Sequence, residues 1–223
     1  MQRVLEPEVM DTWEEAVDYD AMDFVEVNTA FAQQAIAIGT PFSSKVLDAG
    51  TGTARIPILL CQMQSQWQVV GIDLAENMLH IGWQNVGQAG LQNQIVLKLV
   101  DVKQLPYQDE CFDLIISNSL IHHLPDPLPF LLELKRVLKP NGGILIRDLI
   151  RPPDKEALNA LVKSIGTQYN DHQKKLLHDS LQAAFTIEEI KQLTAQANLQ
   201  GVTVYQSSER HWTAERAWKP SQE

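Results

Sequence analysis

Short apolar runs alternate with stretches of helical apolar spacing along the middle of the chain. The apolar runs are KVLDAG (45–50), VVGID (69–73), IVLKLVD (95–101), FDLIIS (112–117) and GILIRDL (143–149). Strands that alternate with helices are typical of a doubly wound, mostly parallel sheet with helices on both faces. The pattern therefore predicts an α/β, Rossmann-like core between residues 41 and 150.

The flanking segments extend this core. Apolar residues at helical spacing end at Gly39-Thr40-Pro41, which predicts N-terminal helices before the first strand. Residues 151–182 have helical spacing without a strand and are interpreted as a helical insertion. Thr186 and Glu189 form a capping box that opens a helix, and GVTVYQ (201–206) and ERHWTAE (209–215) predict two closing antiparallel strands. We expect one domain with seven strands, the last of them antiparallel, divided into a helical lid, a cofactor-binding core, the insertion and a closing unit (1–40, 41–150, 151–182, 183–217).

Composition narrows the class of protein. The chain has 223 residues and a net charge of −10, which disfavours a nucleic-acid partner. It contains no apolar run long enough for a membrane span and begins without the pattern of a signal peptide. The lone cysteines Cys61 and Cys111 indicate reduced thiols and a cytoplasmic location, and they argue against structural zinc.

Acidic residues are concentrated at the start of the chain. Residues 1–30 hold nine acidic side chains and one basic side chain, Arg3. A solvated helix face explains this bias most simply. The other interpretation is a lid that attracts a cation.

Acidic residues also end most of the predicted parallel strands, where ligands of open α/β sheets bind. In chain order these ends are Asp48-Ala49-Gly50-Thr51-Gly52, Asp73-Leu74, Asp101-Val102, Asn118 and Asp148. Gly50 and Gly52 permit a tight turn, and the helix after them offers free N–H groups. Asp73, about 20 residues further on, is placed to bind ribose hydroxyls.

The same layout serves nicotinamide cofactors, but three residues argue against a dinucleotide. Arg55 stands where the fingerprint has its third glycine or alanine. Asp101 adds an acceptor suited to an adenine amino group. Asp48 is unfavourable beside a pyrophosphate and suited to an ammonium group.

These motifs, in this order and spacing, resemble those of class I S-adenosylmethionine-dependent methyltransferases. The resemblance is carried by VLDAGTGTARIPILL, GIDLAENML, VDVKQLPYQDECFDLIISNSLIHHLPDP and LLELKRVLKPNGGILIRDL. It implies S-adenosylmethionine as cofactor and S-adenosylhomocysteine as product. The implied cofactor contacts are the methionine part at Asp48, Gly50 and Gly52, the ribose at Asp73, the adenine at Leu74, Met78, Asp101 and Val102, the amino acid end at the main chain of Asn118, and a closing aromatic at Tyr19.

The resemblance also places a candidate base beside the acceptor. His122 or His123 would take the acceptor proton, supported by Asp148, whereas the simpler interpretation is that His122 bonds local backbone and His123 packs under its loop. No metal is expected. We expect a monomer or homodimer that methylates a small molecule. Protein or tRNA methylation, a nicotinamide-dependent reductase and a non-catalytic cofactor-binding module are the alternatives.

Overall fold

A single seven-stranded sheet organises the chain, as seen in a computed structural model that describes residues 1–7, 9, 11–22, 24–166 and 170–220. The strands are β1 (Lys45–Ala49), β2 (Gln68–Asp73), β3 (Ile95–Leu99), β4 (Phe112–Asn118), β5 (Leu138–Leu149), β6 (Thr203–Gln206) and β7 (His211–Arg216). Their order is β3-β2-β1-β4-β5-β7-β6, and β7 runs antiparallel to both neighbours. The predicted mostly parallel sheet with an antiparallel final strand is confirmed.

Eight helices and one 3-10 turn surround the sheet among the described residues. They are α1 (Trp13–Asp20), α2 (Val25–Ile38), α3 (Arg55–Met63), α4 (Glu76–Gln88), α5 (Leu128–Val137), α6 (Lys155–Ser164), α7 (Asp171–Ala183), α8 (Ile187–Gln196) and the 3-10 turn Ile121–His123. The Thr186 capping box is present as predicted. Helices α6 and α7 occupy most of the segment interpreted as an insertion. Residues 167–169 of that segment lie outside the described residues, as do Glu8 and Asp23 of the acidic segment.

Both faces of the sheet are buried, and successive strand residues alternate between two apolar clusters. Leu47 and Ile115 face the cluster that includes Phe130 of α5, whereas Val46 faces the cluster that includes Phe31 of α2. Helix α2 therefore belongs to the core layer, packed against α3, while α1 packs against α4. Burial on both faces explains why the central strands are apolar throughout.

Strand β5 contains a local irregularity near its start. Strand β5 begins at Leu138, and its register against β4 jumps from Phe112–Leu138 to Leu114–Gly143. A Cβ on Gly142 would lie 2.5 Å from the Leu138 side chain, so the chain folds closely on itself there. The glycine thus permits an irregularity within β5 instead of a separate connection.

In the part of the chain that the structure describes, no helix combines the length and apolar character needed to cross a bilayer.

Gly71 of β2 should tolerate no side chain. A Cβ there would lie 2.6 Å from the Thr51 hydroxyl and 2.7 Å from Leu97. We expect Gly71→Ala to lower the free energy of unfolding by about 1 to 3 kcal/mol, as overpacking does. Gly87→Ala, on exposed α4 surface with its nearest neighbour at 3.7 Å, should leave it unchanged or raise it by up to about 1 kcal/mol. Urea unfolding followed by circular dichroism tests both, and equal stability of the two variants would contradict the close packing at Gly71.

Candidate functional site

The turn between β1 and α3 is built on left-handed backbone. Gly50 and Gly52 have φ values of +75° and +53°. The N–H groups of Gly50 and Thr51 both donate to the Ile72 carbonyl at 2.9 Å, which fixes the turn to the end of β2. A Cβ on Gly50 would lie 3.0 Å from Leu120, so the loop after β4 packs directly on this turn. Glycine is therefore required here by both conformation and space.

Asp48 is buried beneath the glycine turn. Its carboxylate accepts a hydrogen bond from the Thr51 hydroxyl at 2.7 Å. Burial raises the pKa of Asp48 to about 7, the Thr51 hydrogen bond partly opposes this shift, and the nearby charge of Asp73 adds a smaller upward contribution. No cationic side chain among the described residues lies within ion-pair distance of Asp48. The site can therefore accommodate a ligand group that brings its own positive charge.

Asp73 connects the glycine turn to the start of α4. One carboxylate oxygen accepts from the Gly52 N–H at 2.7 Å, and the other accepts from the Ala75 N–H at 2.9 Å. Burial raises the pKa of Asp73, although these backbone donors oppose the shift. Because a carboxylate has about four acceptor positions, the two backbone bonds leave capacity for two hydroxyl donors.

An apolar surface adjoins Asp73. Met78 is buried with Ala16, Ala75 and Ile81, and Tyr19 packs against this cluster. Leu74 remains 40% exposed, so its side chain is available to a flat ligand. The structure thus brings Asp73, Leu74, Met78 and Tyr19 together as predicted.

Tyr19 lies over the glycine turn. A Cβ on Gly52 would be 3.7 Å from the Tyr19 ring. Burial raises the pKa of Tyr19 to about 12, with Asp73 and Asp48 adding to the shift. The phenol is therefore neutral and faces the same acids as the turn.

Two acids of the N-terminal segment tie α1 to this edge of the sheet. Asp20 pairs with Arg55 through two hydrogen bonds of 2.9 and 2.6 Å. Asp11 accepts from the Asn77 N–H at 2.9 Å in the first turn of α4, where a negative charge is favourable. Arg55, which replaces the expected small residue, thus anchors α1.

The remaining predicted cofactor residues lie at the same edge. Asp101 accepts from the Lys103 N–H at 2.9 Å, and its side chain is 39% exposed. Val102 is buried in the core cluster of that face. Asn118 ends β4 and pairs with Arg147 of β5. Among the described residues, the hydrogen bonds and the ion pair of Asp101 are made with Lys103 and Gln104 and not with the glycine turn.

His122 and Asp148 form a buried pair at the neighbouring strand ends. The Nδ1 atom of His122 lies 2.5 Å from Asp148 Oδ1, and the His122 backbone N–H donates to Oδ2 at 3.1 Å. Burial lowers the pKa of His122, but Asp148 and Glu6 outweigh it and raise the pKa overall. The same contact holds the pKa of Asp148 below its usual range despite burial. The bond to Nδ1 leaves Nε2 as the free nitrogen of His122.

Glu6 faces that free nitrogen. Its Oε1 atom lies 3.4 Å from His122 Nε2 and 3.3 Å from His123 Nδ1. Burial raises the pKa of Glu6. Burial and the neighbouring His122 lower the pKa of His123 to about 4, so His123 is neutral. The two histidine rings pack against each other at an interplanar angle of 35°, with centroids 4.2 Å apart.

The segment that carries Glu6 was missed as a site element by the sequence reasoning. Arg3 donates to the carbonyls of Ala183, Pro125, His122 and Leu124, and its guanidinium lies 3.7 Å from the centroid of the Phe185 ring. We call residues 1–7 the N-terminal arm. The one basic residue in an acidic segment was the available signal, although its partners lie more than 100 residues away.

Comparison with known proteins gives a consistent result. A family model described as a methyltransferase domain matches residues 43–217. A demethylmenaquinone methyltransferase of Bacillus cereus (strain ATCC 10987 / NRS 248) is 33% identical over 158 residues, which cover 68% of this chain and 66%, just under two thirds, of the relative.

Two solved structures share the fold. One is a SAM-dependent methyltransferase from Aquifex aeolicus, with a TM-score of 0.67, 20% identity, and coverage of 92% of this chain and 98% of the other. The second is a candidate S-adenosyl-L-methionine-dependent methyltransferase from Methanococcus maripaludis, with a TM-score of 0.72, 20% identity, and coverage of 100% and 99%.

Asp48 should make stability depend on pH. Its pKa is 3.8 in a free side chain and about 7 in the fold, so the folded state binds more protons between these values and stability falls as pH rises through that window. Asp48→Asn removes the titration. We expect the variant to be close to the wild type in stability near pH 4 and to become more stable than the wild type, by a few kcal/mol (on the order of 1.4 per pKa unit), near pH 8. Urea unfolding at both pH values measures this, and a difference independent of pH would contradict the assignment.

Proposed function

Because the chain belongs to the class I S-adenosylmethionine-dependent methyltransferase family, we propose that it transfers a methyl group from S-adenosylmethionine to a small-molecule acceptor. One observation carries this proposal. The glycine turn follows β1, and the His122–Asp148 pair joins the loop after the neighbouring strand β4 to the end of β5. Leu120 of that loop packs against Gly50 of the turn. The proposed cofactor site and the proposed proton acceptor therefore adjoin at one edge of the sheet.

The residues at this edge fit the proposed cofactor. Asp48 is a buried acid without a cationic partner among the described residues, which suits the ammonium of a methionine group. Asp73 retains acceptor positions for ribose hydroxyls, and Leu74 with Met78 offers an apolar surface for adenine. Asp101 remains our proposed acceptor for the adenine amino group, with the Val102 N–H and the Asn118 main chain as further contacts.

The chain's own residues account for the other needs of the reaction. Bound S-adenosylmethionine supplies an electrophilic methyl group on a sulfonium. The protein must align the acceptor with that methyl group, and Tyr19 and the N-terminal arm cover the region where alignment occurs. His122 takes up the proton of an acceptor hydroxyl or acidic carbon at Nε2, and Asp148 holds the ring and stabilises its protonated form. The ring of His123 packs against that of His122.

Two observations support a small-molecule acceptor. The curated relative is named for demethylmenaquinone, which makes this compound the first acceptor to assay. The net charge of −10 supports a small molecule over tRNA. Protein and tRNA are the alternative acceptors, and they should be assayed beside demethylmenaquinone. Free thiols at Cys61 and Cys111 support our proposal of a cytoplasmic location.

Cofactor binding can be tested by calorimetric titration. We expect S-adenosylmethionine and S-adenosylhomocysteine to bind and NAD not to bind. Asp73→Ala should weaken binding of both cofactor forms by about 1 to 3 kcal/mol, because the ribose hydroxyls lose a charged acceptor. Asp18→Ala, at an exposed position of α1, serves as the matched control and should bind normally. Unchanged affinity in a folded Asp73→Ala protein would contradict the placement of the ribose.

Proton transfer can be tested by methyl transfer from labelled cofactor to demethylmenaquinone or to any acceptor found in the screen. We expect His122→Ala to lower kcat by about 100-fold or more, and Asp148→Asn to lower it as well, with little change in cofactor affinity. The wild-type rate should fall as pH drops through the raised pKa of His122. His172→Ala, at an exposed position of α7, is the control. Normal turnover in both site variants would exclude His122 as the base.

A further inference from the structure

Three potential metal ligands converge beneath the N-terminal arm. Glu6 Oε1, His122 Nε2 and His123 Nδ1 all lie within 4.8 Å of one another. The two measured separations from Glu6 are 3.4 Å to His122 and 3.3 Å to His123. Ligands about 2.0 to 2.1 Å from a tetrahedral zinc ion are about 3.3 to 3.4 Å from each other. The carboxylate is thus already at ligand spacing from both imidazoles.

Two of these atoms have no hydrogen-bond partner. Glu6 Oε1 and His123 Nδ1 are both buried and unsatisfied. The Glu6 side chain is only 8% exposed and is aimed at the histidines. A buried polar atom without a partner costs about 1 to 3 kcal/mol, and more when it is charged. A cation between these atoms would satisfy the carboxylate and both nitrogens at once.

The surroundings of His122 match those of a metal ligand. Its Nδ1 is held by Asp148 at 2.5 Å, which directs the Nε2 lone pair toward Glu6. Asp148 is held in turn by the backbone N–H groups of His122 at 3.1 Å and Leu149 at 2.6 Å. A carboxylate that fixes the far nitrogen of a histidine is the usual outer shell of a zinc-bound imidazole.

We propose that Glu6, His122 and His123 bind one divalent transition-metal ion, with zinc as the preferred metal. Two imidazoles and one carboxylate form a borderline donor set suited to zinc, and three protein ligands leave a fourth position open. The open position would take an oxygen of water or of the acceptor. This proposal departs from the expectation of no metal, which considered only the cysteines and the strand ends.

The ion would also join the N-terminal arm to the core. Glu6 is the only ligand from the arm, while His122 and His123 follow β4. A metal on Nε2 removes that nitrogen from proton transfer, so the metal-bound form and the base-competent form of His122 are distinct states. The proposal does not rest on methyl transfer, because it concerns ligand atoms that are in place without cofactor.

Metal titration of the full-length, tag-free protein tests the proposal. After dialysis against a chelator, the protein is titrated with Co²⁺, whose visible absorption reports coordination geometry, and with Zn²⁺ against a chromophoric chelator. We expect one ion per chain and a tetrahedral Co²⁺ spectrum. Glu6→Gln and His123→Ala should each weaken binding at least tenfold. Asp148→Asn should weaken it by about 10- to 100-fold, the usual effect of losing an outer-shell partner.

His172→Ala, which removes an exposed histidine of α7, is the matched control and should bind with wild-type affinity. Absence of stoichiometric binding, or equal affinity in Glu6→Gln, His123→Ala and the wild type, would overturn the proposal. Glu6→Gln lies on the arm and keeps the side-chain shape, so it remains informative if a histidine variant misfolds. The metal titration contains no S-adenosylmethionine, so a negative result would not affect the methyl-transfer proposal. Failure of the cofactor titration would likewise not affect the metal proposal.

Discussion

Four acidic residues lie at one edge of the parallel strands, and the arrangement of the site depends on how the negative charge of each is stabilised. They are Asp48, Asp73, Asp101 and Asp148. Asp73 is stabilised by backbone N–H groups, and Asp148 by an imidazole and two backbone N–H groups. Asp101 stays partly in water beside Lys103. Asp48 is buried with the Thr51 hydroxyl as its side-chain hydrogen-bond donor and no cationic partner among the described residues, and its pKa rises to about 7. Because no cationic side chain among the described residues pairs with Asp48, this position favours a ligand with a positively charged group.

The acidic N-terminal segment serves the same edge. Two of its acids, Asp11 and Asp20, fasten α1 to α4 and α3, and a third, Glu6, reaches the histidines. These contacts go beyond the solvated helix face that periodicity favoured. They also explain Arg55, whose departure from the dinucleotide fingerprint first served only to argue against NAD. Arg55 thus has two effects. It departs from the fingerprint that binds a pyrophosphate, and it anchors α1 through Asp20.

Sequence patterns predicted the features that depend on local interactions or on strand order. The Thr186 capping box, the end of α2 before Gly39 and the convergence of Asp48, Asp73 and Asp148 at one edge follow from short-range chemistry and from parallel topology. The irregularity in β5 was missed because it depends on close packing between Leu138 and Gly142. The arm was missed for a similar reason. Glu6 and Arg3 have partners more than 100 residues away, and no periodicity reports such contacts.

His122 is the point where the two proposed chemistries meet, since a proton and a metal ion would both use Nε2. Asp148 serves either, because its bond to Nδ1 fixes the same tautomer in both cases. Glu6 separates them. Beside a protonated His122, Glu6 forms an ion pair, and beside a metal ion, Glu6 is a ligand. Displacement of Glu6 by an acceptor would therefore remove one of the three metal ligands and leave the His122–Asp148 pair in place. On these two proposals, the position of the N-terminal arm determines which chemistry His122 performs.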